Sequence, residues 1–446
     1  MRTHLARGMR VLRGNASFLA RSSLLAFGSL SAAGMGFAYW WFAAQEFPPA
    51  AVGVQSVLIS AMALVGMLGD AGFSTLLLGE SAGRGRNGHS LIAAATLAGA
   101  GLTLLLALLA AAALHYEHMM TGADSLLFIA GCALTGFTFV LDCGLIGLGQ
   151  NRLQLARSLL FSVLKLILLV AVGLLTKASS AILLAWVVSL GVTLALSCGY
   201  AWANGVLRLV KPDLRGLMKQ SSVVINHHLL NLSAAAPPLI LPVVVNACLG
   251  PSVNAAFYIG FMLRGLVMLL TGSLTIVLFS MDASAPDIMR QKIRFSLLVS
   301  FGISVVGFLG FVLFGDCLLR MFNPSYPALA GAAMPMFGIS LIGGTLRLHY
   351  VLRARVERKM MAGAGWVFLG GAVELSLAAL GGIFGDVRWL ALGWAFGLSL
   401  TAAFMIRPLF VYAWPKRTVS PVGPAAAQGA LTADVAGRNR PGWRQR

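Results

Sequence analysis

Twelve apolar runs, each long enough to cross a bilayer, succeed one another along the chain. They lie near residues 22–43, 50–69, 91–114, 125–148, 158–176, 179–203, 222–249, 252–280, 295–315, 327–346, 361–383 and 389–413. A helix crossing the ~30 Å hydrocarbon core needs about 20 mostly apolar residues, so each run predicts one transmembrane helix. Two runs are irregular: the hairpin 158–203 is turned only by Thr176–Ser179, and 327–346 contains Pro335. Composition agrees with lipid as the solvent. Charged residues are 11% of the chain, against about 25% in a soluble domain. Hydrophobic residues are 58% and the mean hydropathy is +0.85. A soluble fold could not hide that much apolar surface. The expected fold class is all-α integral membrane.

The formal charge of +19 suggests nucleic acid only where the bases gather on one water-facing surface. Here they fall into short clusters between apolar runs, so no nucleic acid partner is expected. With the N-terminus inside, the segments 1–21, 79–90, 149–157, 204–221, 281–294, 347–360 and 414–446 hold 27 of the 33 Lys and Arg. The outer turns hold Lys177, Arg320 and Arg388. Under the positive-inside rule this predicts both termini in the cytoplasm and a multi-pass protein of a bacterial inner membrane. Met1–Arg13 is basic and precedes an apolar stretch, as in a signal peptide. That stretch exceeds a signal core and at least ten more follow, so it reads as a retained first helix.

The same alternation divides the chain. Residues 1–21 form a basic N-terminus, 22–203 a first lobe of six helices and 204–221 a cytoplasmic linker. Residues 222–413 form a second six-helix lobe, and 414–446 a disordered tail rich in Pro, Ala, Gly and Arg. Bases of the tail are either simply solvated or in contact with anionic phospholipid headgroups. No loop between helices exceeds about 18 residues, whereas a folded catalytic domain needs at least ~50, so no enzyme is expected. The five cysteines, Cys132, Cys143, Cys198, Cys248 and Cys317, show no CxxC or Cys/His spacing and predict neither metal nor disulfide. The chain also looks duplicated. Phe47-Pro-Pro-Ala-Ala-Val-Gly53 leads into the second helix and Leu249-Gly-Pro-Ser-Val-Asn-Ala255 into the eighth, with Pro49 and Pro251 in register. Ser22-Ser23 and Ser221-Ser222 open the helices before them. Parallel-repeat transporters are built from two such halves.

Several of these residues carry a family likeness. Ala20-Arg21-Ser22-Ser23 through Gly28 and Gly34, the turn Phe47 to Gln55, and Gly69-Asp70-Ala71-Gly72 reaching Glu80 follow in order. Gly149-Gln150-Asn151-Arg152 comes after the fourth helix, and Lys211-Pro212-Asp213 leads toward the seventh. In this the chain resembles the lipid-linked oligosaccharide flippases of the MOP superfamily, the Wzx type of polysaccharide export. Gln55 stands where that family has Tyr, and Ala255 where its second turn has Gly. The resemblance implies twelve transmembrane helices in two six-helix lobes around a central cavity, the MOP/MATE-like architecture. Alternating access there would turn a polyprenyl-diphosphate-linked oligosaccharide from inner to outer leaflet for O-antigen, capsule or exopolysaccharide. It also implies a polysaccharide polymerase and chain-length machinery as partners. No residue pattern calls for a cofactor, and coupling to an ion or to the membrane potential is left open.

Ionisable groups inside a span cost at least ~2.5–3.5 kcal/mol each and are functional candidates. Asp142 and Lys165 are reflections about residue 153.5, in the turn between their helices, which sets them at equal depth on antiparallel neighbours. They predict an ion pair, with a place for Lys165 on the substrate path as the other role. Arg264 lies near mid-bilayer in the eighth helix, where the resembling family places a cavity-lining Arg. A guanidinium matches diphosphate oxygens with paired donors. Pairing with Glu374, at similar depth, and snorkelling to the interface are its other roles. Arg407 lies near an inner end. Arg21 opens the first helix, either to meet a diphosphate or as an interfacial anchor. Asn226, His227, His228 and Asn231 offer donors for sugar hydroxyls or for interhelical hydrogen bonds. Tyr39, Trp40, Trp41 and Trp366 suit interface belts, and Asp70 and Glu80 local turns. The competing classes are a cation-coupled multidrug exporter, which needs lobe carboxylates, and a membrane polymerase or ligase, which needs a large outer loop. The first and second helices carry no central carboxylate and the outer loops are short.

Overall fold

The computed structural model describes residues 16–80, 86–116, 119–208, 210–279 and 286–414. All regular structure among them is helical. The Arg21 and Glu80 side chains, residues 1–15 and the tail 415–446 lie outside the described residues.

The first lobe comprises α1 (Ala16–Glu46), α2 (Pro49–Asp70), the short α3 (Phe73–Glu80), α4 (Arg86–Tyr116), α5 (Gly122–Gly147), α6 (Asn151–Leu175) and α7 (Ser180–Ala203). The second comprises α8 (Leu214–Leu249), α9 (Pro251–Phe279), α10 (Pro286–Phe322), the short α11 (Tyr326–Ala330), α12 (Met334–Val356), α13 (Met360–Phe384) and α14 (Val387–Ala413). Among the described residues, eleven segments are long and apolar enough to span a membrane, and α1, 31 residues long, makes twelve. The expected architecture of two six-helix lobes holds.

The ends of the helices follow local chemistry. Pro49 and Pro251 each open a helix, where a missing N–H is harmless. Thr121 caps α5 through a reciprocal capping box with Asp124. Asp213 caps α8 by accepting from the Gly216 N–H at 2.8 Å, so the linker ends earlier than residue 221. At the end of α2, Ala71 and Gly72 take positive φ. Asp70 braces that turn by accepting from the Ser74 N–H at 2.9 Å and hydroxyl at 2.7 Å. Pro335 lies in the first turn of α12. That helix runs on to Val356, through most of the segment expected as the loop 347–360.

The two repeated turns meet. α2 and α9 pack together across the lobes, and a Cβ at Gly53 would stand 1.8 Å from the Pro251 carbonyl oxygen. Asn254 donates to the Gly53 carbonyl at 2.9 Å and to the Ser56 hydroxyl at 3.0 Å. Nearby, Trp41 and Gln45 donate to the Met321 carbonyl, and Asn323 donates to the Ala44 carbonyl. All these contacts lie at the end away from the basic loops, and they seal it. At the basic end α8 reaches the first lobe, with His228 Nδ1 at 3.8 Å from Asp70 Oδ2.

Two aromatic expectations change. Trp41 and Trp366 are exposed, as a belt requires, but Tyr39 and Trp40 are buried. Tyr39 donates to the Ile182 carbonyl at 2.6 Å and packs edge-on against Trp40 and Trp186. Their neighbours α6, α7 and α9 turn this face of α1 into a packed interior.

Candidate functional site

Helix α9 carries Arg264 thirteen residues past Pro251, about 20 Å along the axis. Its guanidinium points into a cavity of about 340 Å³ inside the second lobe, lined from α8, α9, α12, α13 and α14. Arg264 Nε donates to the Ser340 hydroxyl at 2.6 Å, and Nη2 donates to the Ser340 carbonyl at 3.3 Å. The group lies over the Trp394 ring at 5.0 Å and the Phe261 ring at 6.0 Å, favourable cation–π positions. Gly344 makes the room: a Cβ there would stand 2.7 Å from Arg264 Nη2. No carboxylate among the described residues lies within ion-pair distance of Arg264.

Glu374 belongs to a different arginine. Arg347 Nη1 and Nη2 donate to its two carboxylate oxygens at 3.0 and 2.7 Å, a bidentate fork in the same cavity. The alternative role for Arg264, pairing with Glu374, is therefore replaced by an Arg347–Glu374 pair. Counting Arg347 with a loop hid it, because α12 continues inward and carries Arg347 to the face that meets α13. Ser340, Gly344 and Arg347 recur at i, i+4 and i+7, one face of a helix. That periodicity is the signal which would have found them. Trp394 carried no such signal. Around the cavity α8 contains Pro237, Pro238 and Pro242, which remove backbone donors from its inner turns. Gly371 lets α13 approach them, since a Cβ there would meet the Pro237 ring at 2.5 Å. The paired Arg347 and Glu374 cancel, so the cavity keeps one uncompensated positive charge.

The first lobe differs from expectation at Asp142 and Lys165. Asp142 accepts from Arg157 Nε at 2.7 Å, from Arg157 Nη2, and from Gln154 Nε2 at 3.3 Å. The α5–α6 turn is centred on Gly149, with φ 75°, rather than near 153.5. Reflection about the true turn brings Asp142 to Arg157. Lys165 is buried among aromatic rings instead, with Nζ 4.1 Å from the Trp186 centroid, 5.0 Å from Phe161 and 5.4 Å from Tyr39. Arg157→Ala is expected to lower abundance several-fold by stranding Asp142. The exchange Asp142→Arg with Arg157→Asp restores it, whereas exchanging Asp142 with Lys165 does not; immunoblots of membrane fractions distinguish the two.

The polar cluster of α8 divides. Asn231 accepts from Arg355 at 2.6 Å, His228 faces Asp70, and Asn226 and His227 are half-buried. Interhelical bonding accounts for Asn231.

No family model and no curated protein matches the sequence. Solved structures do match. An inward-facing multidrug-resistance MATE transporter superposes with TM-score 0.61 at 14% identity, over 86% of this chain and 96% of that one. A MOP-superfamily transporter from Pyrococcus furiosus, whose reversed pocket polarity suggests a different function for it, gives 0.60 at 16% over 88% and 95%. A Vibrio cholerae MATE transporter gives 0.59 at 16% over 90% and 97%. The fold is that of the MOP-superfamily transporters. That fold agrees with twelve helices in two lobes.

Proposed function

We propose that the chain is a transporter of an anionic, lipid-linked substrate, a polyprenyl-diphosphate oligosaccharide moved between leaflets for cell-surface polysaccharide. The observation that carries this reading is Arg264, a mid-membrane guanidinium with no carboxylate within ion-pair distance among the described residues, in a cavity whose carboxylate, Glu374, is held by Arg347. Such a group is costly to leave uncompensated, and a diphosphate supplies paired acceptors at fixed charge. Trp394 and Pro238 supply walls for a sugar. The Pyrococcus furiosus neighbour supports the idea that this fold accepts pockets of either sign. In this reading the basic loops face the cytoplasm of a bacterial inner membrane, and a polymerase receives the product.

A second reading has its own observation. Glu374 is a mid-membrane carboxylate beside Trp394, and a cationic drug displacing Arg347 would find both, as in a multidrug exporter. One set of variants separates the two. Under the flippase reading Arg264→Ala abolishes polysaccharide export and lipid-linked precursor accumulates, with abundance unchanged. Arg264→Lys keeps the charge but loses the fork, and export falls at least tenfold. Arg264→Ala cells that export normally, and lose resistance to cationic drugs on Glu374→Gln, would establish the exporter instead.

A further inference from the structure

The first lobe carries a groove that the transport site does not use. It opens between α4, α5 and α7 and encloses about 570 Å³. Its walls are apolar, with Ile92, Leu97 and Phe137 among them. Its mouth carries His89, Trp202 and Arg208, and no carboxylate lines it. Leu97 and Trp202 are 59% and 65% exposed, as side chains on a lipid-facing surface are. Among the described residues, His89 Nδ1 is closed off from solvent and has no hydrogen-bond partner.

Its dimensions and charge point to one occupant. Along α4 the lining runs from His89 to Ala100, about 16 Å at 1.5 Å per residue. That is close to half of the ~30 Å core, the depth of a single leaflet. The open end is the basic face, where an indole and a guanidinium sit at headgroup level. Arg208 belongs to the linker between the lobes, and that linker is tied to α4. The Ser90 hydroxyl donates to the Lys211 carbonyl, and the Asp213 N–H donates to the Ser90 carbonyl at 3.2 Å.

We propose that this groove binds an anionic phospholipid of the basic-face leaflet, one acyl chain along α4 and the headgroup phosphate against Arg208 and His89. A zwitterionic choline headgroup would bring its own cation against Arg208, so the site selects for net negative charge. Because Arg208 lies in the covalent joint between the lobes, the bound lipid also braces that joint.

The test uses the full-length protein in mild detergent, titrated with phosphatidylglycerol or with phosphatidylcholine of the same acyl chains. Retained lipid is read by native mass spectrometry and by thermal stability. Phosphatidylglycerol is expected to bind at least fivefold more tightly and to raise the melting temperature. Arg208→Ala weakens it about fivefold, the effect of one base near a headgroup. A Cβ at Gly199 meets nothing within 4 Å, so Gly199→Leu has room to branch into the slot and is expected to reduce retention of both lipids, with the melting temperature of the lipid-free variant checking that it folds. Equal binding of the two lipids overturns the proposal, as does unchanged phosphatidylglycerol binding in both variants. Displacement of phosphatidylglycerol by a lower concentration of polyprenyl phosphate also overturns it, by assigning the groove to the isoprenoid.

Discussion

Gly53→Leu is expected to abolish the proposed transport while the protein still accumulates in the membrane. Gly53 sits where α2 crosses α9, and the Pro251 carbonyl oxygen occupies the place of its missing Cβ, 1.8 Å away. Backbone cannot step aside as a flexible side chain would, so the lobes must separate at that end. The change leaves the core of each lobe in place but excludes the state in which this end is sealed. Under the proposed alternating-access transport, loss of one end state stops the cycle, so at least a tenfold loss is expected. Asn254→Ala removes the bonds to Gly53 and Ser56, each worth about 1 kcal/mol, and slows transport without stopping it. Ser56 is fully buried, so a cysteine there reports the opening. An impermeant thiol reagent added on the side away from the basic loops labels it in the Gly53→Leu background and spares it otherwise, native cysteines having been replaced. Wild-type transport in Gly53→Leu would show that the close approach is not part of the cycle.

Glu374→Ala is expected to be the most destabilising single change in the second lobe. It strips Arg347 of both carboxylate oxygens and leaves a guanidinium buried beside Arg264. Removing one partner of a buried pair costs about 3–5 kcal/mol, enough to deplete the protein. Replacing both partners with apolar groups of similar volume is close to neutral. Abundance should therefore fall in Glu374→Ala and recover in Glu374→Met with Arg347→Met. Arg264→Ala in the Glu374→Ala background removes a like charge but leaves Arg347 stranded, and recovers less. Equal rescue by both second changes would mean that Glu374 serves the two arginines alike. Thermal unfolding in detergent gives the same ranking without reliance on expression.

The span count was legible because it depends on local quantities. A run of apolar residues long enough for the bilayer forms a helix whatever surrounds it, since lipid leaves the backbone no other partner. The proline turns were legible for the same reason: Pro49 and Pro251 open helices by their own chemistry. Arg264 and Glu374 stood out through the cost of charge at their depth. Their partners did not, because partnership depends on which faces meet. Asp142 was assigned to Lys165 by placing the α5–α6 turn four residues too late, and Gly149 moves the reflection to Arg157. Arg347 lies just past the apolar run 327–346, and only the continuation of α12 to Val356 brings it onto a helix face. Tyr39 and Trp40 had the sequence of an interface belt and the position of a core.

What this chain's sequence determined by itself is therefore an all-helical membrane protein of twelve spans, with a repeated proline turn and a few costly charges at known depths. Each follows from the period, length and polarity of contiguous residues. Only the tertiary structure decided that Arg347 neutralises Glu374, that Arg264 is left to Ser340 and Trp394, and that the two repeated turns close on each other. Helices in lipid have many apolar faces of nearly equal free energy. The choice among them rests on small residues such as Gly53, Gly344 and Gly371, whose meaning appears only when the backbone facing them is known.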